Sequence, residues 1–224
     1  YVHGWLGSDV VDSNKTYVYN GQTRHVFIPR YLSANRFTLQ PFKGLYLSGG
    51  NSVIYSDAQN VSYLLPVMFY KSIDHSITPS NVDGQNAQMF FNISSRQIKH
   101  LHLFTSVYVD EIRIRHMWNA ETHSNFISFK GGASISNLLP NLIISGEYTR
   151  TNPLAYQHFL APTTFTNDKY NLGHYLRDNS DEVYLSLKYR PHHRIITQLS
   201  YTSARHGRTW DYAVKDKSIP DYPF

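Results

Sequence analysis

The chain has 224 residues, of which 41% are hydrophobic and 15% aromatic, with 18 Tyr, 12 Phe and no Cys. The lack of Cys excludes disulfides and thiolate metal sites. A net charge of +5 would suit nucleic acid, but the basic residues are scattered singly and form no known reader motif, so we expect no nucleic acid partner. The most apolar run, 63–70, contains Pro66 and is far shorter than the roughly twenty apolar residues of a membrane-spanning helix. A membrane strand stays open, because only every second residue of such a strand must be apolar.

The first quarter of the chain contains one predicted hairpin. Residues 1–11 are ambiguous, and 12–15 predict a turn. Apolar and polar residues alternate over 31–39, and Pro41 is expected to close that strand. The alternation resumes over 45–55, so we predict two antiparallel strands joined by a Pro-Phe-Lys-Gly turn.

A long polar segment then separates this hairpin from the next strand pair. Residues 57–86 are rich in Asp, Asn, Ser, Pro and Gly around the apolar island 64–70. The island is consistent with a short helix or with a segment folded into the lumen of a barrel. Two further strands are predicted at 87–96 and 99–110, and another at 127–135.

The alternation changes phase at Asp110-Glu111, because Ile112 and Ile114 fall on even positions after an odd-phased apolar run. Such a phase change predicts a β-bulge. Paired carboxylates can hydrolyse glycosides, but neighbours on a regular strand point to opposite faces. We therefore favour a bulge with one lumen acid paired to Arg113 or Arg115.

The stretch 141–202 has the clearest strand pattern. Period-two alternation over 142–149, 183–190 and 195–202 is typical of strands with one apolar and one polar face. The last two strands are joined by a tight turn at 190–193, whereas 150–181 form a long polar loop. Short turns at one end and long loops at the other are typical of outer-membrane barrels. A Tyr-rich soluble β-sandwich is the alternative that composition allows.

The predicted fold class is therefore all-β: an antiparallel transmembrane β-barrel of the outer-membrane type with about eight to ten strands. Residues 1–224 form one domain, either a whole barrel or part of a larger one, with long loops near 57–86 and 150–181. The pattern dissolves after Gly207. Residues 1–4 lack the basic start and apolar core of a secretory signal, so we expect a mature protein or a piece of a longer one.

A set of short motifs is spread over most of the chain. They are Glu147-Tyr148-Thr149-Arg150-Thr151-Asn152-Pro153, Ala155-Tyr156-Gln157-His158, Tyr170-Asn171-Leu172-Gly173-His174-Tyr175-Leu176 and Asp178-Asn179-Ser180-Asp181-Glu182, with echoes at Asn35-Arg36-Phe37, 51–55, Val109-Asp110-Glu111-Ile112 and Arg205-His206-Gly207. Together, and in this order, they resemble the Wzi-type capsule assembly proteins of Gram-negative outer membranes, in their Bacteroidetes-like version. The resemblance implies a large barrel that holds or organises surface polysaccharide without catalysis. Arg177 departs from it, because a Gly would be expected there.

The candidate binding residues lie in the loop 150–181. Aromatic rings can stack on sugars, while amides, acids and guanidinium groups bind hydroxyls or acidic sugars. The alternative is a structured plug whose polar groups satisfy one another. The candidates for polysaccharide binding are Arg150, Asn152, Tyr156, His158, His174, Tyr175, Asn179 and Asp181, with Tyr170 beside them. The candidates for lumen charge are Glu111, Arg113, Glu147, Lys188 and Arg190.

Other functions are weaker matches to the sequence. His123-Ser124 would suit an outer-membrane hydrolase, but no nucleophile elbow accompanies it. His192 and His193 are expected at a wet turn, and no cluster of zinc ligands is evident, so we expect no metal and no cofactor. A porin or uptake channel is the second hypothesis. The predicted partners are capsular or other surface polysaccharide and outer-membrane lipid, and the predicted location is the bacterial outer membrane.

Overall fold

The computed structural model describes residues 1–72, 84–111 and 125–208. This part of the chain is mostly antiparallel β-sheet, with 3₁₀ turns at Val61–Leu64 and Ala161–Thr163. The strands are β1 (Val2–Leu6), β2 (Tyr17–Tyr19), β3 (Gln22–Arg24), β4 (Arg30–Phe42), β5 (Leu45–Ser56), β6 (Gln85–Ser95), β7 (Leu101–Glu111), β8 (Phe126–Ser136), β9 (Leu142–Thr151), β10 (Thr166–Asn167), β11 (Tyr170–Asn171), β12 (Ser180–His192) and β13 (Ile195–His206).

Nine of these strands form one sheet in the order β1-β4-β5-β6-β7-β8-β9-β12-β13. Neighbours in this order are antiparallel throughout, which confirms the prediction of an antiparallel all-β fold. The sheet is open, because within the described ranges β1 pairs with β4 and β13 with β12, and the two edge strands do not pair with each other. Within these ranges no helix is long and apolar enough to cross a membrane.

Register gives the sheet two chemically different faces, because residues paired across strands point to the same side. Ser128 of β8 pairs with Thr151 of β9, which in turn pairs with Ser180 of β12. Ile135 is paired with Ile144, and Ile144 with Leu187, on the opposite side. We call these sides the polar face and the apolar face. The predicted period-two pattern is thus confirmed.

The bulge predicted at Asp110-Glu111 is confirmed. Val109 pairs with Ile127 and Glu111 with Phe126, so Asp110 is the extra residue between them. Residues 112–115, on which the rest of that prediction depends, lie outside the described ranges.

Two strands run past prolines: Pro41 was expected to close its strand, and Pro191 was expected in the turn 190–193. β4 continues through Pro41 to Phe42, and β12 continues through Pro191, so the expected strand ends were wrong. In each case the register shifts around the proline, between Leu39 and Phe42 and between Tyr189 and His192. A shifted register leaves a position without a ladder hydrogen bond, so the missing N–H of proline costs little there.

The apolar island lies on the apolar face of the sheet. Tyr63 and Tyr70 are fully buried in a cluster with Val53 and Ala87 of the sheet. Asn51 accepts from the backbone N–H of Tyr70 at 2.8 Å. The short-helix alternative is met in part, because a 3₁₀ turn at Val61–Leu64 leads into the island.

Candidate functional site

The loop between β9 and β12 crosses the polar face of the sheet and reaches the strands at its far side. The backbone N–H of Asp168 donates to the Gly7 carbonyl at 2.9 Å. The Gly7 N–H in turn donates to Asn167 Oδ1 at 2.7 Å. Because Gly7 follows β1, this loop covers the polar face from β9 towards β4 and β1.

Arg30, at the start of β4, holds the centre of this loop. Its side chain is only 1% exposed, and its guanidinium donates to the carbonyls of Pro162, Thr164 and Gly7. The Thr166 hydroxyl accepts from it at 3.3 Å. Five donors in a planar fork allow one side chain to fix several carbonyls at once. Sequence reasoning missed Arg30, because nothing local indicates carbonyl partners more than 130 residues away.

The two ends of the loop are tied together by buried polar groups. Asp178 accepts from the Leu154 N–H at 2.9 Å and from the Gln157 amide at 3.0 Å. Asn152 donates to the Asn125 carbonyl at 2.9 Å, and Asn179 donates to the Arg208 carbonyl at 2.8 Å. These contacts match the structured-plug alternative for Asn152 and Asn179.

A cavity of about 530 Å³ lies between the polar face and this loop. We call it the sheet–loop cleft. Tyr108 of the sheet packs against Tyr156 and Phe165 of the loop, each with a ring-centroid distance of 5.2 Å. Gly173 lies against the Tyr156 ring, where a Cβ would collide with it. The residues lining the cleft are Arg36, Phe90, Asn92, Ser106, Tyr108, Ser128, Lys130, Thr149, Tyr156, Phe165, Leu172, Gly173, His174 and Tyr175.

Three polar atoms at the cleft have no hydrogen-bond partner in the described ranges. They are the Tyr108 hydroxyl, the Thr149 hydroxyl and His174 Nδ1, and all three atoms are buried. Buried polar groups are nearly always hydrogen-bonded in folded proteins. Residues that line the cleft thus carry hydrogen-bonding capacity that the described part of the chain leaves unused.

Two charged groups beside the cleft, Lys130 and Glu182, have partners close by. Lys130 Nζ lies 2.8 Å from Glu147 Oε1. The Tyr175 hydroxyl donates to Glu182, and this hydrogen bond raises the pKa of Tyr175. His174 Nε2 lies 4.0 Å from Glu182 Oε1, but burial lowers the pKa of His174. The imidazole is therefore neutral at pH 7.

The structure brings three of the predicted binding residues to the cleft and separates the others. Tyr156, His174 and Tyr175 line it. His158 lines a second cavity of about 700 Å³, also bounded by Tyr156. His158 Nδ1 lies 2.6 Å from the Thr163 hydroxyl.

Arg150 and Asp181 do not reach the cleft. They pair with each other across β9 and β12, on the same face as Phe129. Asp181 forms an ion pair with Arg205 at 2.5 Å. The loop candidates therefore do not all meet at the cleft, because Arg150 and Asp181 belong to strands whose register turns them to the other face.

The predicted lumen charges are only partly on the polar face. Glu147 and Lys188 lie there, in register with Tyr184 and with Ile143. Arg190 lies near the β12–β13 turn and donates to the His193 carbonyl at 2.6 Å. The side chain of Glu111 and all of Arg113 lie outside the described part of the chain.

No family model, curated protein or solved structure matches this chain. The resemblance to capsule assembly proteins therefore stays a prediction, and the chemistry of the two sheet faces and of the cleft carries the functional argument. Tyr108 and Thr149 were missed as site residues. Their polar phase on the strands was the available signal, but only register shows that they converge.

Proposed function

We propose that this chain is an outer-membrane β-barrel, or part of one, that binds surface polysaccharide without catalysing a reaction. The observation that carries the proposal is the reversed arrangement of the two faces. The long loop covers the polar face, and large hydrophobic side chains of the apolar face are exposed. A soluble sheet buries its apolar face under a second layer.

The exposed apolar face runs across most of the sheet, with the segment 61–72 covering one end. Soluble monomers rarely expose apolar patches beyond a few hundred Å². Lipid is the natural cover for such a face, and a polar interior is its counterpart in outer-membrane barrels. Hydrophobic side chains of this face that are more than a third exposed are Trp5, Phe37, Leu39, Leu47, Phe91, Ile93, Leu103, Phe129, Ile135, Ile144, Tyr148, Val183, Leu185, Leu187, Tyr189, Leu199 and Tyr201.

The polysaccharide part of the proposal is supported by the cleft and by the motif resemblance. Aromatic walls beside unused hydroxyl and imidazole groups suit a sugar, which offers apolar C–H faces and hydroxyls together. Contacts of about 1–2 kcal/mol each retain a polymer through avidity when many of them act together.

The test places the full chain in lipid nanodiscs and measures how much labelled capsular polysaccharide they retain. The polysaccharide is taken from the bacterial strain that encodes the chain. Retention on loaded nanodiscs and not on empty ones is the expected result. Equal retention by empty nanodiscs would remove the polysaccharide claim. A polypeptide that stays monomeric and compact without detergent would remove the membrane claim.

A channel is the second candidate, favoured by the ion pair between Lys130 and Glu147 and by Lys188 on the polar face. Charged side chains on that face suit an aqueous lumen. Planar-bilayer conductance separates the two functions. Stable ion-conducting steps without polymer retention would favour the channel, whereas retention with a closed pore would favour polysaccharide anchoring.

A further inference from the structure

We propose that the sheet–loop cleft is a subsite for one neutral pyranose unit of a glycan. Its hydrogen-bonding groups are the Tyr108 hydroxyl, the Thr149 hydroxyl and His174 Nδ1. The inference rests on the proposed polysaccharide binding and names the sugar class and the residues that would take it.

The three residues come from separate elements and line one cavity. Tyr108 is on β7, Thr149 is on β9 and His174 is in the loop. Thr149 is 2% exposed, and the His174 side chain is 11% exposed. A buried polar group without a partner costs about 1–3 kcal/mol. A site that collects such groups, instead of pairing them, is built for a polar occupant.

The hydrogen-bonding character of these groups matches sugar hydroxyls. Tyrosine and threonine hydroxyls both donate and accept, as sugar hydroxyls do. His174 is neutral, and its Nε2 faces Glu182. A proton on Nε2 leaves Nδ1 as an acceptor for a sugar hydroxyl.

The apolar walls suit the flat face of a pyranose ring. Phe90 lines the sheet side of the cleft, and Tyr156 and Phe165 line the loop side. Tyr156 and Phe165 are nearly parallel, with an interplanar angle of 23° at 6.2 Å. Aromatic rings offer a broad apolar contact beside polar groups that fix orientation.

Charge favours a neutral sugar over an acidic one. Lys130 is neutralised by Glu147 at 2.8 Å. Arg36 donates to the Ser48 hydroxyl at 3.1 Å, and Glu182 accepts from Tyr175. The two cations that line the cleft, Arg36 and Lys130, are thus balanced by two carboxylates just behind the lining, Glu147 and Glu182. A uronate carboxylate would have to compete with Glu147 for Lys130 or lie near Glu182.

The experiment titrates the full chain in lipid nanodiscs with four probes by saturation-transfer NMR. The probes are the methyl pyranosides of glucose, galactose and mannose, and glucuronate. We expect saturable binding of at least one neutral pyranoside, tighter than that of glucuronate. Tyr108→Phe and Thr149→Val each remove one unpaired hydroxyl and keep the side-chain shape. Each should weaken binding about five- to tenfold.

Ser145→Ala is the matched control, because Ser145 lies on the same strand and face as Thr149 and its hydroxyl bonds Ser134 at 2.9 Å outside the cleft. This variant should bind the sugar as the parent chain does. Tyr108→Phe and Thr149→Val are expected to fold, since an apolar isostere relieves an unpaired buried hydroxyl.

Three results would overturn the subsite. They are no saturable binding by any neutral pyranoside, unchanged affinity in both cleft variants, or tighter binding of glucuronate. The first would leave ordered water as the only occupant. Polymer retention by the same nanodiscs separates the two proposals. Retention without pyranoside binding removes the subsite alone, whereas loss of retention with pyranoside binding removes polysaccharide anchoring.

Discussion

At the residue scale, Arg177 has a backbone conformation that favours Gly. The resemblance leads us to expect Gly there, and Arg177 has φ of 65°, in the left-handed region that favours Gly. The Arg177 N–H still donates to the His174 carbonyl at 2.8 Å. The loop thus keeps a conformation suited to Gly and accepts the strain of a side chain.

Replacing Arg177 by Gly should raise the free energy of unfolding by about 0.5 kcal/mol. Relief of the left-handed backbone outweighs the greater chain entropy of Gly and one hydrogen bond to the Lys169 carbonyl at 3.4 Å. Urea unfolding followed by circular dichroism measures the change. Arg177→Ala keeps the strain and should show no gain. Equal effects of Gly and Ala would contradict a backbone cause.

His174 should make the docking of the loop depend on pH. Burial lowers its pKa, while Glu182 opposes that shift and Lys130 adds to it. The unfolded loop then binds the proton more readily than the folded loop. The contribution of neutral His174 to the stability of the docked loop is present above about pH 6.5 and is lost as the pH falls towards the lowered pKa.

Limited proteolysis of the loop at pH 7.5 and 5.5 tests this expectation. Cleavage should accelerate at the lower pH in the parent chain, and His174→Gln should flatten that change. Glu182, Tyr175, Lys130 and Glu147 face the imidazole or its partners. If the variant keeps the full pH dependence, His174 is not the group that causes it.

At the element scale, the loop 152–179 is an ordered layer and not a mobile connection. Its ends are joined through Asp178, and its middle is held by Arg30. The sheet–loop cleft exists only while this layer is docked, because Tyr156 and His174 come from the loop and Tyr108 from the sheet.

Arg30→Met should destabilise this layer by about 3 kcal/mol. The change removes charge-assisted hydrogen bonds and leaves the carbonyls of Pro162 and Thr164 without their donor. Protease sensitivity within 157–171 and urea unfolding both report it. Arg24→Met is the control, because Arg24 is exposed on β3. Equal sensitivity of both variants would show that Arg30 does not hold the loop.

At the scale of the whole molecule, the two sheet faces should respond oppositely to charge. Leu185 lies on the apolar face and is 50% exposed, whereas its neighbour Ser186 lies on the polar face in register with Ser145. A Lys on a lipid-facing strand costs about 2–4 kcal/mol near the bilayer midplane. On the polar face it meets water or polar groups.

Leu185→Lys should therefore lower the yield of folded protein in lipid vesicles, and Ser186→Lys should leave it near the parent value. The folded fraction is measured by comparing the migration of unheated and boiled samples on SDS gels. A second protein layer over the apolar face would also make Leu185→Lys the more damaging variant, so behaviour in buffer separates protein from lipid as the cover. A compact Leu185→Lys chain in buffer, or greater damage from Ser186→Lys, would reject lipid as the cover.

Much of the fold was predictable from local pattern. Period-two alternation located the main strands, and the phase change before Ile112 located the bulge at Asp110. Pro41 and Pro191 misled, because their effect depends on whether the partner strand needs an N–H at that position. The candidate site was predictable only as a region: Tyr156, His174 and Tyr175 were identified, whereas Tyr108 and Thr149 became site residues through register.

The sequence by itself determined the strands and their two unlike faces, since side-chain direction along a strand follows from backbone geometry. Only the tertiary structure decided which face each loop covers: 61–72 lies on the apolar face and 152–179 on the polar face. Those choices depend on contacts far apart in the chain, such as Arg30 with Pro162. No local propensity encodes them, because their free energy exists only after the sheet has formed.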